Sequence, residues 1–198
     1  MKYLFNFVAL MLTVVFVAGA AATSNGTLHN LQTAYNGESN ARAKYLEFAK
    51  KAEQEGYGQV ASLFRAAAAA EQIHRTCEAS VMNEMGATPQ AKVALPPIKS
   101  TKQNLEDSAS KGEAYERDTM YPQFIRQART DNNNRAAQCF SYAQAAEAQH
   151  FNLFNAAARD LSQTKGSAAS YYVCTEGGYT MARLDVSKCP DGRYLKVK

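Results

Sequence analysis

Tryptophan is absent from this chain of 198 residues, and cysteine and proline are scarce, at four and five. The lack of tryptophan beside abundant alanine suits close-packed helices better than sheets. Charge of neither sign dominates: 22 Lys and Arg face 18 Asp and Glu, a net +4. The basic residues are scattered rather than clustered, which argues against a nucleic-acid partner. The one apolar run, Val8 to Ala18, is too short to span a bilayer with ease.

That run has another reading. Lys2 precedes it and small residues follow through Ala22, the layout of a secretory signal peptide over residues 1–22. Cleavage is expected at Ala18-Gly19-Ala20 or Ala20-Ala21-Ala22, leaving no stable membrane span. No cysteine lies near the cleavage site, so a lipid anchor is not expected. The protein is then exported, to the periplasm or envelope of a bacterium.

Apolar residues at intervals of three and four mark four helices over residues 23–165. The first carries Leu31, Tyr35, Glu38, Arg42, Tyr45 and Ala49 on one stripe. The second carries Val60, Leu63, Ala67, Glu71, His74, Glu78, Val81 and Met85. Leu105, Ala109, Glu113, Glu116, Met120 and Phe124 mark the third; Phe140, Ala143, Glu147, His150, Phe154, Ala157 and Leu161 mark the fourth. Gly56-Tyr57-Gly58 permits a tight first reversal. Pro89, Pro96 and Pro97 break helix between the second and third segments and require a longer crossover. Asp131 and three asparagines supply a stop and a new N-cap, and Pro122 should open the third helix just past Glu116. The expected fold is all-α: a ferritin-like four-helix bundle with one long crossover. Residues 166–198 change character, with Tyr171-Tyr172-Val173-Cys174 and Gly177-Gly178-Tyr179 suggesting short strands and turns in a separate β-rich tail.

Seven metal-type ligands stand on the apolar stripes: Glu38; Glu71 and His74; Glu113 and Glu116; Glu147 and His150. Residues three apart on a helix share a face, so each Glu-x-x-His pair can serve one site. Five carboxylates gathered in a dry bundle cost several kcal/mol each if left charged and unpaired. Two metal ions would neutralise most of that charge. Oxygen and imidazole donors suit iron, with manganese possible, and the absence of thiolates argues against a closed zinc site. One Glu-x-x-His on a helix is commonplace and usually solvated. Two on separate apolar stripes, with carboxylates in register on the other two helices, are not.

Asn36-Gly37-Glu38-Ser39-Asn40-Ala41-Arg42-Ala43-Lys44-Tyr45 resembles the first-helix signature of rubrerythrins. Gly112-Glu113-Ala114-Tyr115-Glu116-Arg117-Asp118-Thr119-Met120-Tyr121-Pro122 resembles their third-helix signature. The resemblance spans roughly residues 28–163, with a weaker echo in the tail. It implies a non-haem di-iron oxidoreductase that reduces hydrogen peroxide to water. By motif position it implies bridging roles for Glu71 and Glu147, terminal roles for Glu38 and Glu113, and His150 on the second iron. It further implies that Glu116 and His74 exchange on one iron with redox state. Tyr45 and Tyr121 match family tyrosines, either hydrogen bonding at the site or packing the core. Pairing into a homodimer is also expected from the family.

The tail departs from that family. Rubrerythrins end in a rubredoxin-like module with Cys-x-x-Cys twice; here Gly177 and Gly192 stand where the second cysteine of each pair belongs. Two thiolates cannot make a four-sulfur iron site, so no rubredoxin-type iron is expected in this degenerate module. Cys174 and Cys189 are instead candidates for a disulfide across the two turns, or for a reversible dithiol. Cys77 and Cys139 are expected as small buried core residues. Electrons for peroxide must then come from an unknown external donor. The competing readings are a ferroxidase and a non-catalytic iron-binding protein of oxidative stress; no acidic cluster beyond the seven ligands favours mineral storage.

Overall fold

The computed structural model describes residues 24–198, so the expected signal peptide at 1–22 lies outside the described residues. Helix α1 runs Ser24–Gln54 and α2 runs Gly58–Glu84. They are joined by a reversal in which Gly56 takes φ 81°, a conformation open to glycine. The third bundle helix begins as α3, Thr101–Asp107, capped by the Ser100 side chain, which accepts from Gln103 N. It continues through two π-helical stretches, Ser108–Glu113 and Glu116–Met120, into α4, Tyr121–Thr130. The last bundle helix, α5, spans Asn134–Arg159, and its N-cap Asn133 accepts from Ala136 N at 2.9 Å. Among the described residues no helix is long and apolar enough to cross a membrane.

Two of the three joints are short, and the long one is residues 85–100. That crossover runs along α1, held by amide side chains one turn apart. Gln32, Asn36 and Asn40 accept from the backbone N–H groups of Gln90, Lys92 and Ala94 at 3.1, 2.8 and 2.8 Å. An extended segment without secondary structure thereby satisfies its backbone.

Pro122 opens the third helix as expected, but the widening starts before it. With no N–H at Pro122 the ladder cannot close normally. The freed Arg117 carbonyl instead accepts from the Gln144 side chain of α5 at 2.8 Å. The earlier π stretch, Ser108–Glu113, has no proline to signal it.

Two apolar layers fill the bundle. One contains Tyr45, Phe48, Phe64, Phe154 and Leu105; the other contains Leu31, Met82, Tyr121, Ile125 and Phe140. On each helix the ligand-type residues fall between these layers. Burying each of these large side chains stabilises the fold by roughly 1.5–3 kcal/mol, which offsets the cost of the polar layer they enclose.

The tail packs against the bundle. Strands β1 (Tyr171–Cys174), β2 (Thr180–Met181) and β3 (Tyr194–Val197) form an antiparallel sheet in the order β2-β1-β3. Val173 is fully buried against Ala66 and Ala70 of α2, and β2 touches α5. Small alanines on the outer face of α2 let the sheet approach closely, a pattern the helical stripes alone do not reveal.

Candidate metal centre

Six of the seven expected side chains are buried together in the middle of the bundle, in two overlapping groups. Glu38, Glu71, His74 and Glu147 bring one ligand atom each within 4.8 Å of one another. Glu71, Glu113, Glu147 and His150 do the same. Glu71 and Glu147 belong to both sets, one oxygen toward each histidine. His74 Nδ1 lies 3.0 Å from Glu71 Oε2 and 3.1 Å from Glu147 Oε1. His150 Nδ1 lies 2.8 Å from Glu147 Oε2 and 3.5 Å from Glu71 Oε1. This follows from local helix geometry: each Glu-x-x-His pair shares a face, and α2 and α5 turn those faces toward each other.

Glu116 stands apart. It lies in the second π stretch, is partly buried, and joins neither cluster. Its carboxyl is nonetheless pushed well above the usual range by burial and by the charges of Glu38, Glu113 and Glu147.

The tyrosines are placed by the apolar layers and reach into the polar one. Tyr45 donates to Glu113 Oε1, and Tyr121 donates to Glu38 Oε1. Both hydroxyls are fully buried, so both phenols are held well above their ordinary pKa by burial and by those carboxylates. The two readings of Tyr45 and Tyr121, hydrogen bonding and core packing, are therefore met together in each side chain.

The electrostatics show what the cluster lacks on its own. Burial, then Glu147 and Glu38, push the Glu71 carboxyl well above its ordinary range. Glu147 is raised too, chiefly by burial. Burial opposes charge on His74, but Glu147 and Glu38 outweigh it and raise its pKa. Glu38 and Glu113 stay low despite burial because His74 and His150 face them. Several atoms remain without a directed hydrogen bond in this dry interior: Glu38 Oε2, Glu71 Oε2, His74 Nδ1, Glu113 Oε2 and Glu147 Oε1. Buried polar atoms are rarely left so. These five orphans are on the clustered residues, and all are of the type that binds iron or manganese.

One functional candidate was missed as such in the sequence. Glu78, one turn beyond His74 on α2, is 1% exposed, its Oε1 3.5 Å from the Tyr121 hydroxyl and its Oε2 unpartnered. Its place on the same stripe, seven residues from Glu71, was the available signal.

The cysteines correct one expectation. Cys77 and Cys139 are not lone core residues but are joined to each other, 62 positions apart, linking α2 to α5. Three-residue spacing from His74 puts Cys77 on a neighbouring face, and only the helix pairing reveals Cys139 opposite it. Cys174 and Cys189 are likewise bonded, with Cα atoms 5.1 Å apart. A cleft of about 440 Å³ opens between α2, α5 and the tail, lined by His74, Cys77, Cys139, Tyr142 and Gly177 among others.

Four helices joined short, long, short around two clusters that share two carboxylates define a ferritin-like dimetal bundle. The family described as Rubrerythrin matches residues 29–158. Nigerythrin of Nitratidesulfovibrio vulgaris is 39% identical over 88% of this chain and 85% of its own. Rubrerythrin-2 of Clostridium acetobutylicum is 33% identical over 81% of this chain and 88% of its own. Among solved structures, fully reduced, all-ferrous nigerythrin overlays with a TM-score of 0.74 at 37% identity, covering 89% of both chains. A bacterioferritin of Desulfovibrio desulfuricans, at 19% identity and TM-score 0.63, shares the fold alone. The chain belongs to the rubrerythrin family. Family and clusters together make it a di-iron protein of oxidoreductase, peroxidase-like type.

Proposed function

We propose that this protein is exported and reduces hydrogen peroxide to water with electrons from an external donor. The observation that carries the reading is the sharing of Glu71 and Glu147 between two histidine-bearing clusters. A carboxylate with one oxygen toward each site is what holds two ions side by side. When bound, the iron pair would supply the two electrons that cleave the peroxide O–O bond.

The chain's residues do the rest. Glu71 and Glu147 would be shared between the two ions, with Glu38 and His74 holding one and Glu113 and His150 the other. Tyr45 and Tyr121 fix one oxygen of Glu113 and of Glu38, leaving the other oxygen of each free. His74 rather than Glu116 stands in the first cluster here. Either could serve that side of the centre: His74 would offer it a neutral donor and Glu116 a charged one. Glu116 opens the π stretch Glu116–Met120, a widened backbone of the kind often found at functional sites. Manganese would fit the same donors.

Export rests on the layout of residues 1–22 and on the pairing of all four cysteines, since stable disulfides belong to oxidising compartments. The tail, with its two cysteines bonded to each other, holds no iron in this reading and passes no electrons from one.

Anaerobic reduction of the iron-loaded protein followed by peroxide tests the reaction. The expected result is reoxidation by one peroxide per two irons, repeated as long as reductant is supplied. Faster oxidation by dioxygen than by peroxide, or iron uptake beyond two per chain, would instead mark a ferroxidase or a storage protein.

A further inference from the structure

Both histidines of the centre turn their second ring nitrogen toward the tail of the same chain. His74 Nε2 lies 3.3 Å from the Gly177 carbonyl oxygen. His150 Nε2 lies 3.0 Å from Thr180 Oγ1. These partners restrict the chemistry. A carbonyl only accepts, so His74 must carry a proton on Nε2. The Thr180 hydroxyl spends its single proton on the Gly178 carbonyl at 3.0 Å, so it accepts from His150. Each ring is thereby fixed with Nε2–H outward and Nδ1 inward among the carboxylates.

We propose that the tail serves as a positioning module for the metal centre, its Gly177 carbonyl and Thr180 hydroxyl setting the tautomer and orientation of both histidine ligands. The inference rests on the dimetal reading of the clusters. It assigns Thr180 as a positioning residue acting through His150, and the tail as a clamp in place of an electron carrier. Partners of this kind orient a ligand imidazole and raise its basicity, and their loss typically weakens metal binding about 10–100-fold.

The turn is built to reach the rings. Gly177 and Gly178 take φ of 84° and 71°, and a Cβ at Gly178 would lie 2.5 Å from His74 Nε2. The turn is closed by Cys174 N donating to Tyr179 O at 3.0 Å and Gly178 N donating to Cys174 O at 3.2 Å. Cys174 is itself fully buried and bonded to Cys189. A covalent link therefore anchors the residue from which the clamp turn hangs. The glycine that removed a thiolate at position 177 also provides the carbonyl that His74 uses.

Co(II) titration of the full chain, followed by its visible bands, tests this with Thr180→Val and Thr180→Ser. Valine keeps the shape without the acceptor; serine keeps the acceptor. The expected result is two Co(II) per chain in the parent and serine proteins. In Thr180→Val one of the two should bind about 10–100-fold more weakly, with altered bands and unchanged helix content. Cys174→Ala with Cys189→Ala should weaken both ions, since the whole turn loosens. Equal binding and spectra for Thr180→Val and the parent would overturn the clamp while leaving the dimetal centre standing. Failure of the parent itself to bind two Co(II) would overturn the centre and the clamp with it. If the valine protein lost helix content, the serine protein would decide: weakened binding there, with helices intact, would also overturn the proposal.

Discussion

In the bundle, seven ligand-type side chains sit between two apolar layers, six of them gathered into two clusters with orphaned atoms facing one another. In the tail, two of four expected thiolates are gone and the remaining two are bonded together. A buried carboxylate cluster cannot close on itself: like charges repel and every unpaired oxygen costs free energy. A pair of thiols in an oxidising compartment can, because each supplies the bond the other needs. Loss of half the ligands therefore leaves a stable fold in the tail, whereas the same loss in the bundle would leave buried charge.

The sharpest break in that comparison is Glu71→Ala. Glu71 belongs to both clusters, so bound iron should fall from two per chain to near zero with helix content nearly unchanged, read by metal analysis and circular dichroism. Glu38→Ala and Glu113→Ala each touch one cluster and should leave one ion. Removing the Cys77–Cys139 link, which closes 62 positions, should cost about 4 kcal/mol in denaturant unfolding of the whole bundle. Removing Cys174–Cys189, which closes 15, should cost about 3 kcal/mol, felt in the tail while the bundle remains folded. Hydrogen exchange separates the two. Tyr121→Phe deletes a donor to Glu38 and should destabilise the metal-free protein by about 1.5–3 kcal/mol, the range for hydrogen bonds to charged groups.

The smallest effect lies on the surface. Asp107, hydrogen-bonded by Lys111 and Lys99, has its carboxyl held down to about 2. Its pKa is lowered on folding, so the stabilisation is present above about pH 4 and is lost as pH falls through about 2. Because the pair is solvent-exposed and screened, Asp107→Asn should cost under about 1 kcal/mol at neutral pH. That cost should shrink in high salt.

The bundle was largely legible because its signals are periodic: the stripes, the three clustered prolines and the Glu-x-x-His spacing all read along single helices. Contacts between helices were less so. Nothing in the spacing of Cys77 and Cys139 announced their bond, since it depends on how α2 meets α5. The π stretch at Ser108–Glu113 holds Gly112 but no proline, and a single glycine does not distinguish it from ordinary helix. Glu78 was visible on the stripe, but its isolation beneath Tyr121 emerges only from packing. The tail showed its lost cysteines at once, yet not that Thr180 and Gly177 return to the histidines 30 and 103 positions away.

Iron and free thiol counted together on the purified protein lacking residues 1–22 test the account most directly. Two irons and no free thiol per chain are predicted, the iron in the bundle and the cysteines in two bonds. Three irons with thiols engaged, or no iron with the clusters intact, would contradict it.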